Sequence, residues 1–368
     1  MKKIKLLLAL GTRPEVIKMA PLYFACRERE SLCPLLCASG QHAELLDTAL
    51  LDFGLTPEWR FATETGDLAQ ITSRMLLGFS QVLDTLSPHA VLVHGDTATA
   101  FSAALAAFYK EIPVLHVEAG LRTGDLSAPF PEELYREVID RLSLHCFAPT
   151  ETAYRRLLAE GRPRDTVSLC GNTVVDALGY TVCKSFSHPL LKQAEGKRLI
   201  LLTCHRREGR SALPSLLTAV RRAVEERDDV LVLFPVHPTP STKQAAEEIL
   251  GDHAAFRLLP PLDTRLFHNL LARAHLLLTD SGGAEEEATA LGIPTLVLRD
   301  KTERTEGVEA GILIPVGTDS EAVYTALKNA LAYPPTVTPS TVYGDGRAAQ
   351  RIAEITDFIL SQQVNIAL

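Results

Sequence analysis

Short apolar runs alternate with longer amphipathic stretches along the whole chain, and this alternation determines the predicted fold. Most of the runs lack a period of two, which is typical of strands buried on both faces of a parallel sheet. The stretches between them, such as Ala212–Glu226 and Ser320–Ala332, have the pattern of amphipathic helices. The predicted strands are Ile4–Leu10, Leu35–Ser39, Ala90–His94, Val114–Val117, Cys146–Ala148, Val167–Cys170, Leu199–Leu202, Val230–Phe234, Phe256–Leu258, Leu276–Leu278 and Thr295–Leu298.

Two successive series of alternating strands and helices predict two domains. The fold class is α/β, with two Rossmann-like, doubly wound domains facing a central cleft. A length of 368 residues agrees with two domains. The polar stretch Tyr180–Lys197 separates the two series, and the last predicted helix, Arg347–Ser361, is long enough to cross back. We therefore expect residues 1–180 with 350–368 to form the N-terminal domain, and residues 181–349 to form the C-terminal domain.

The composition of the chain excludes some classes of binding partner and indicates the cellular compartment. The chain has 37 basic and 45 acidic residues, a formal net charge of −8, which disfavours sequence-independent binding of nucleic acid but allows a small anionic ligand. Seven cysteines without a C-x-x-C pair indicate buried thiols in a reducing compartment. No apolar run approaches the ~18–20 residues that span a bilayer. We expect a cytoplasmic protein without a membrane partner.

Charged residues gather at the predicted carboxyl ends of the strands in the first half, where ligands bind in open α/β sheets. Arg13 and Lys18 follow the first strand near a helix N-terminus, which favours anions. Asp96, Glu118 and Glu132 end or follow later strands, so we expect three carboxyl groups to converge at one sheet edge. Such groups suit general acid–base catalysis, because neighbouring carboxyl groups can separate their pKa values.

A metal site is the alternative interpretation of these residues. Asp96 and Glu118 together with His94 and His116 resemble a ligand set, but no two of them have the i,i+4 spacing of a helical metal site. We favour acid–base chemistry and expect both histidines to be hydrogen-bonded structural residues. The chain has no G-x-G-x-x-G segment, so a dinucleotide cofactor is not expected.

In the second half of the chain, residues suited to binding anions follow the predicted strands at the corresponding ends. Between Leu278 and Ala288, a predicted strand passes through the Ser281-Gly282-Gly283 turn into a helix. The backbone N–H groups of such a turn can bind a diphosphate, and Glu287 is placed to accept hydrogen bonds from ribose hydroxyls. A plain helix cap would explain the serine but not the paired glycines. Together with the acids of the first half, these features suit an enzyme that acts on a nucleotide-sugar.

These segments together resemble the non-hydrolysing UDP-N-acetylglucosamine 2-epimerase family. The resemblance implies two Rossmann-like domains of the glycosyltransferase-B type. It also implies reversible C2 epimerisation of UDP-GlcNAc to UDP-ManNAc, by elimination and re-addition of UDP, with neither NAD nor a metal as cofactor. The similar stretches follow the family's order and cover essentially the whole chain: Gly11–Glu15, Ile17–Pro21, Val91–Thr97, His116–Asp125, Pro131–Glu133, Gly171–Leu178, His205–Glu208, Leu278–Gly283 and Tyr343–Gly346.

The resemblance further implies roles for individual residues and a homodimeric assembly. The positions that match the family's catalytic residues are Asp96, Glu118, Glu132, His205 and Arg136. The positions that match its substrate-binding residues are Arg13, Lys18, Leu262, Phe267, Ser281, Gly282, Gly283, Glu287 and Arg304. An activating second site for UDP-GlcNAc would use Gln41, Arg206 and His237.

Two other functions remain open at this point. One is a hydrolysing epimerase that releases ManNAc and UDP, and the other is a nucleotide-sugar glycosyltransferase of the same fold. The chain also departs from the family's usual residues without losing a proposed catalytic group. The replaced positions are Tyr135, Thr264, Glu285 and Thr305.

Overall fold

The computed structural model describes residues 3–40, 43–63, 66–204, 212–225, 227–300 and 302–366. The chain divides into two compact units, residues 1–180 with 344–368 and residues 181–343. The return to the first unit thus begins at Gly344, somewhat earlier than the expected residue 350, because the turn before the last helix already packs there. Gly344 has a φ of 136°, and a Cβ at this position would lie 3.3 Å from the backbone nitrogen of Asn172 in the same unit.

The described part of the first unit contains a seven-stranded sheet in the order β3-β2-β1-β4-β5-β6-β7, with every neighbouring pair parallel. The chain moves outward from β1 to β3 and then crosses to β4, so β1 and β4 flank a topological switch point. The strands are β1 Ile4–Leu10, β2 Leu32–Gly40, β3 Trp59–Ala62, β4 Ala90–His94, β5 Val114–Val117, β6 His145–Ala148 and β7 Val167–Leu169.

Helices connect these strands and cover both faces of the sheet. Leu6 and Leu8 of β1 belong to one buried apolar cluster and Leu7 to another, so alternate side chains of a single strand support two cores. The helices of this unit are α1 Arg13–Arg27, α2 Ala43–Asp52, α3 Leu68–Leu86, α4 Ala98–Tyr109, α5 Glu132–Leu142, α6 Glu151–Ala159, α7 Thr173–Thr181 (which ends one residue into the second unit) and α15 Ala348–Ile366, with a 3₁₀ turn at Arg164–Thr166.

The second unit repeats this plan with a six-stranded sheet in the order β10-β9-β8-β11-β12-β13, again parallel throughout the described strands. Its switch point lies between β8 and β11. The strands are β8 Arg198–Thr203, β9 Val230–Pro235, β10 Phe256–Leu259, β11 Leu276–Thr279, β12 Thr295–Val297 and β13 Leu313–Pro315. The helices are α8 Pro189–Gln193, α9 Leu213–Val224, α10 Pro240–Leu250, α11 Thr264–Leu271, α12 Gly282–Leu291, α13 Thr305–Glu309 and α14 Ser320–Ala332.

The predicted α/β fold with two parallel sheets is confirmed, but two strands escaped prediction. Both β3 and β13 lie at the edge of their sheet. The side chains of β3 alternate between partly buried and exposed positions, so this strand lacks the apolar run that marks an interior strand. β13 is only three residues long and ends at an exposed proline, Pro315, which is unusual for an interior strand. The eleven predicted strands all correspond to observed strands, with ends shifted by a few residues.

The last helix is fastened to the first unit by a buried carboxylate. Asp176 of α7 accepts hydrogen bonds from the backbone N–H groups of Ala348, at 3.2 Å, and Ala349, at 2.8 Å. These are two of the N–H groups that a helix start leaves without an intrahelical partner. None of the helices in the described ranges combines the length and apolar character needed to cross a bilayer.

Candidate active site

The switch point of the first sheet is organised around the buried carboxyl group of Glu15. Its Oε2 accepts hydrogen bonds from the backbone nitrogen of Gly11, at 3.0 Å, and from Thr12 Oγ1, at 2.9 Å. Its Oε1 accepts a hydrogen bond from Thr97 Oγ1 at 2.6 Å. Glu15 therefore joins the loop after β1, which leads into Arg13 at the start of α1, to the turn after β4. Sequence reasoning did not single out Glu15, because its partners come from two loops that are remote in sequence.

Glu118 lies at the end of β5 and is held by groups from three other elements. Its Oε2 forms an ion pair with Lys18 Nζ of α1 and accepts a hydrogen bond from Asn172 Nδ2 at 2.6 Å. The Nε2 atom of His94 lies 3.6 Å from the same oxygen. Burial lowers the pKa of His94 to about 3, so its ring is neutral. Glu118 also has a φ of 63°, a left-handed conformation that is unusual for a residue with a side chain.

Asp96 follows β4 and is paired with Arg136 of α5. The Asp96 side chain keeps 28% of its surface exposed, whereas that of Arg136 keeps only 6%. Behind this pair, Glu133 is fully buried, with its Oε2 at 3.4 Å from Arg136 Nη1. Glu132 is the first residue of α5 and lies one turn before Arg136. The structure thus brings predicted residues from β4, β5, α1 and α5 to one end of the sheet.

A second carboxylate of α5, Asp140, holds the backbone on which the acids are mounted. Its Oδ1 lies 2.6 Å from His116 Nδ1, and its Oδ2 accepts from the backbone nitrogen of Gly120 at 3.2 Å and pairs with Arg122 Nη2 at 2.7 Å. The other ring nitrogen of His116, Nε2, donates to the carbonyl oxygen of Gly95 at 2.8 Å. Burial alone would raise the pKa of Asp140, but His116 and Arg122 hold it below its usual range.

These contacts also decide the role of the two histidines near the acids. Both ring nitrogens of His116 are engaged, one by a carboxylate and one by a backbone carbonyl, as expected for a structural histidine. His94 lacks the expected hydrogen bond at Nε2, which contacts Glu118 only at 3.6 Å.

In the part of the chain that the structure describes, no group of three or more His, Cys, Asp or Glu side chains has an arrangement that could hold a metal ion.

The switch point of the second sheet ends in the Ser-Gly-Gly turn. Ser281 precedes α12, and its side chain makes no capping hydrogen bond to the described helix. A Cβ on Gly282 would lie 3.0 Å from Cζ of Arg304, so the guanidinium packs directly against the turn. A Cβ on Gly283 would project into open space. The turn therefore places the start of α12, where the first N–H groups have no partner within the helix, beside a cation, and anions prefer this environment.

The charges around this turn form a buried network. Arg304 donates from Nε to Glu286 Oε1 at 2.7 Å and pairs through Nη1 with Glu303 at 2.8 Å. Glu285 accepts from Thr302 Oγ1 at 2.7 Å, and burial raises its pKa. Sequence reasoning did not give these acids a role, since the alternation of charges in this segment does not reveal which of them pair with one another.

The remaining predicted residues of the second unit surround the same end of its sheet. Leu262 follows β10, and Phe267 lies on α11; both are partly buried against one apolar cluster. His237 follows β9, with Nδ1 at 2.7 Å from Thr239 Oγ1. Glu287 lies on α12 beside His268. Gln41, His205 and Arg206, which the sequence also singled out, lie outside the described residues.

Two parallel sheets with charged groups at both switch points place the chain among α/β enzymes built from two Rossmann-like units. The sequence model of the UDP-N-acetylglucosamine 2-epimerase family matches residues 24–357. The UDP-N-acetylglucosamine 2-epimerase of Bacillus subtilis is 44% identical over 361 residues, which cover 96% of this chain and 95% of that protein.

Solved structures are similar over the same length. A putative UDP-N-acetylglucosamine 2-epimerase from Listeria monocytogenes is 43% identical with a TM-score of 0.93, covering 96% of this chain and 95% of that one. A UDP-GlcNAc 2-epimerase from Neisseria meningitidis bound to UDP-GlcNAc is 35% identical with a TM-score of 0.91, covering 96% and 99%. The chain belongs to the UDP-N-acetylglucosamine 2-epimerase family.

The buried Glu15 carboxyl group makes the stability of the fold depend on pH. Burial raises its pKa from an ordinary value of 4.5 to about 7, although hydrogen bonds from Thr97 and Thr12 oppose the increase. Between these values the folded state binds more protons than the unfolded state, so the contribution of Glu15 to stability falls as the pH rises. In Glu15→Gln this contribution is absent.

Urea denaturation of wild type and Glu15→Gln between pH 4.5 and 7.5 measures the effect. The stability of the wild type relative to the variant should fall by up to roughly 3 kcal/mol across this window. A difference that stays constant with pH would show that burial does not raise the pKa of Glu15.

Proposed function

We propose that this protein interconverts UDP-GlcNAc and UDP-ManNAc at C2 without net hydrolysis, by eliminating and re-adding UDP. The observation that carries the proposal is the group of acids at the first switch point. Asp96 and Glu118 each pair with a buried cation there, beside Glu132. The relatives named above provide the substrate class. A family member bound to UDP-GlcNAc has the same fold over 96% of this chain.

The chemistry explains why carboxyl groups and a diphosphate site are both needed. The hydrogen on C2 of the sugar has no adjacent carbonyl group, so its direct removal is unfavourable. If a base removes this proton while the C1–O bond to UDP breaks, the products are UDP and 2-acetamidoglucal, with a C1–C2 double bond. Addition of UDP to C1 and of a proton to the opposite face of C2 then gives the epimer. No step consumes water or changes an oxidation state overall.

The first unit would supply the proton transfers. Glu118 pairs with Lys18, and Asp96 pairs with Arg136. These ion pairs would hold both carboxyl groups in position for proton exchange with the sugar. We assign the two transfers to Asp96, Glu118 and Glu132 as a set. Arg13, at the start of α1, and Lys18 would contact the substrate as well. His205, outside the described residues, remains a proposed catalytic residue.

The second unit would bind UDP. The diphosphate would lie against the N–H groups of Gly282 and Gly283 and the hydroxyl group of Ser281, next to Arg304, where the helix dipole would stabilise the departing negative charge. The Ser281 N–H group itself donates to Thr279 Oγ1 at 3.0 Å. Glu287 would accept hydrogen bonds from the ribose. Other residues would complete recognition: Leu262 and Phe267 at the uracil, and Gln41, Arg206 and His237 at an activating second site for UDP-GlcNAc.

Proton NMR of UDP-GlcNAc incubated with the protein in D₂O tests this function. We expect signals of UDP-ManNAc and replacement of the C2 hydrogen by deuterium in both sugars. Asp96→Asn should lower the rate at least about a hundredfold, because it removes an acid, and should change UDP affinity less than about twofold. Free ManNAc would instead indicate a hydrolysing epimerase. Absence of both exchange and a new sugar would contradict epimerisation and leave a glycosyltransferase as the alternative.

The diphosphate site predicts a selective effect of a single methyl group. In Gly283→Ala the added Cβ enters space that the fold leaves open, so the variant should remain folded. If the diphosphate occupies that space, UDP affinity should fall about tenfold or more in calorimetry. Gly179→Ala, another helical glycine with open space around it, is the matched control and should bind like wild type. Equal affinity of Gly283→Ala and wild type would place the diphosphate elsewhere.

We also propose that the protein is a homodimer. Exposed apolar side chains support this: Leu77 of α3 is 62% exposed, and Phe108 and Tyr109 at the end of α4 are 52% and 66% exposed. A contact between Lys110 Nζ and Asp84 Oδ1, at 2.6 Å, joins the same two helices. Light scattering after gel filtration should give twice the 40.1 kDa of one chain, and Phe108→Glu should shift the mass toward one chain. A single-chain mass for wild type would contradict the proposal.

A further inference from the structure

We propose that His268 is a positioning residue that orients the carboxylate of Glu287 for the ribose of the nucleotide. The proposal rests on the function proposed above, in which Glu287 binds the ribose hydroxyls. His268 Nε2 lies 3.2 Å from Glu287 Oε1. Both residues are buried, with 1% and 6% of their surfaces exposed. A buried carboxylate without a donor is costly, so this contact determines where the Glu287 carboxylate can lie.

A third residue fixes the tautomer of the histidine. A carboxylate only accepts hydrogen bonds, so the contact of 3.2 Å between His268 Nε2 and Glu287 Oε1 is favourable when Nε2 carries a hydrogen. In the neutral ring, Nδ1 then accepts, and Thr181 Oγ1, at 2.7 Å, is the donor. Hydroxyl, imidazole and carboxylate therefore form one chain of contacts, with a hydrogen bond between Thr181 and His268 and a close polar contact between His268 and Glu287. Such a chain restricts the rotamers of all three side chains.

The far end of this chain is itself anchored to the helix that carries His268. The next residue of α11, Asn269, donates from Nδ2 to the carbonyl oxygen of Thr181 at 2.7 Å. Its Oδ1 accepts from the backbone nitrogen of Cys183 at 2.9 Å. Thr181 cannot move without breaking these bonds as well. The position of the imidazole is therefore fixed by contacts on both sides, and the imidazole in turn fixes the position of the Glu287 carboxylate.

The location of Glu287 gives this arrangement its consequence. Glu287 lies one helical turn beyond Gly283, so its carboxylate is close in sequence and structure to the turn proposed to bind the diphosphate. Loss of the donor from His268 leaves Glu287 free to adopt other rotamers. Only interactions made through Glu287 should then weaken, which are those with the ribose hydroxyls. The bonds to phosphate and base should not change.

Calorimetric titration with two ligands separates this effect from general damage to the fold. UDP has both ribose hydroxyls, and 2′,3′-dideoxy-UDP has neither. For His268→Phe we expect UDP to bind about tenfold more weakly, with less than about a twofold change for the dideoxy compound. His268→Gln keeps an N–H donor at a similar reach and should restore most of the preference for UDP. His275→Phe is the matched control, because His275 is an exposed histidine of the same unit that accepts from Leu199 N; its preference should equal that of wild type.

Glu287→Gln tests whether Glu287 binds the ribose, separately from whether His268 positions it. If this variant shows the same selective loss for UDP, Glu287 binds the ribose. A wild-type preference in Glu287→Gln would overturn the ribose assignment and the inference with it. Two results together would overturn the role of His268 alone. Glu287→Gln would lose affinity for UDP but not for the dideoxy compound, while His268→Phe would keep the wild-type preference for UDP or lose affinity for both ligands equally. If His268→Phe does not fold, Thr181→Val applies the same test: about a twofold loss of preference supports the role, and an unchanged preference overturns it.

Discussion

The geometry of the acids depends on the carboxylate of Asp140. One of its oxygens binds Gly120 N directly, and the other reaches the Gly95 carbonyl through His116. Gly95 precedes Asp96, and Gly120 follows Glu118 by two residues, so one side chain fixes the backbone on which both acids are mounted. Because the carboxylate is buried, it also needs the positive charge nearby to remain ionised.

Helix α5 alone supplies most of the side chains that hold the acids in position. Glu132, Arg136 and Asp140 are spaced at i, i+4 and i+8 on α5, so all three lie on one face of the helix. That face contributes an acid, the partner of a second acid and the carboxylate that supports the sheet edge. The cost of burying Arg136 and Asp140 is offset by partners from other elements, since Arg136 pairs with Asp96 and Asp140 pairs with Arg122.

Much of the fold follows from residue patterns, whereas much of the site does not. Buried parallel strands such as Ile4–Leu10 reveal themselves by uninterrupted apolar runs, and charged residues at their carboxyl ends indicate the switch points. The edge strand β3 lacks such a run, and β13 is a three-residue strand that ends at Pro315. Contacts such as Asn172 with Glu118, or Thr181 with His268, join residues far apart in the chain, and nothing local in the sequence indicates that they meet.

Asp140 places the acids, and the rate of C2 hydrogen exchange in D₂O tests this role most directly. Asp176 provides the comparison, since it is another buried carboxylate of the first unit that accepts backbone N–H bonds but holds α15 instead of the acids. Asp140→Asn should slow exchange at least about tenfold relative to Asp176→Asn, while both variants bind UDP equally well. Equal exchange rates in two folded variants would contradict the account.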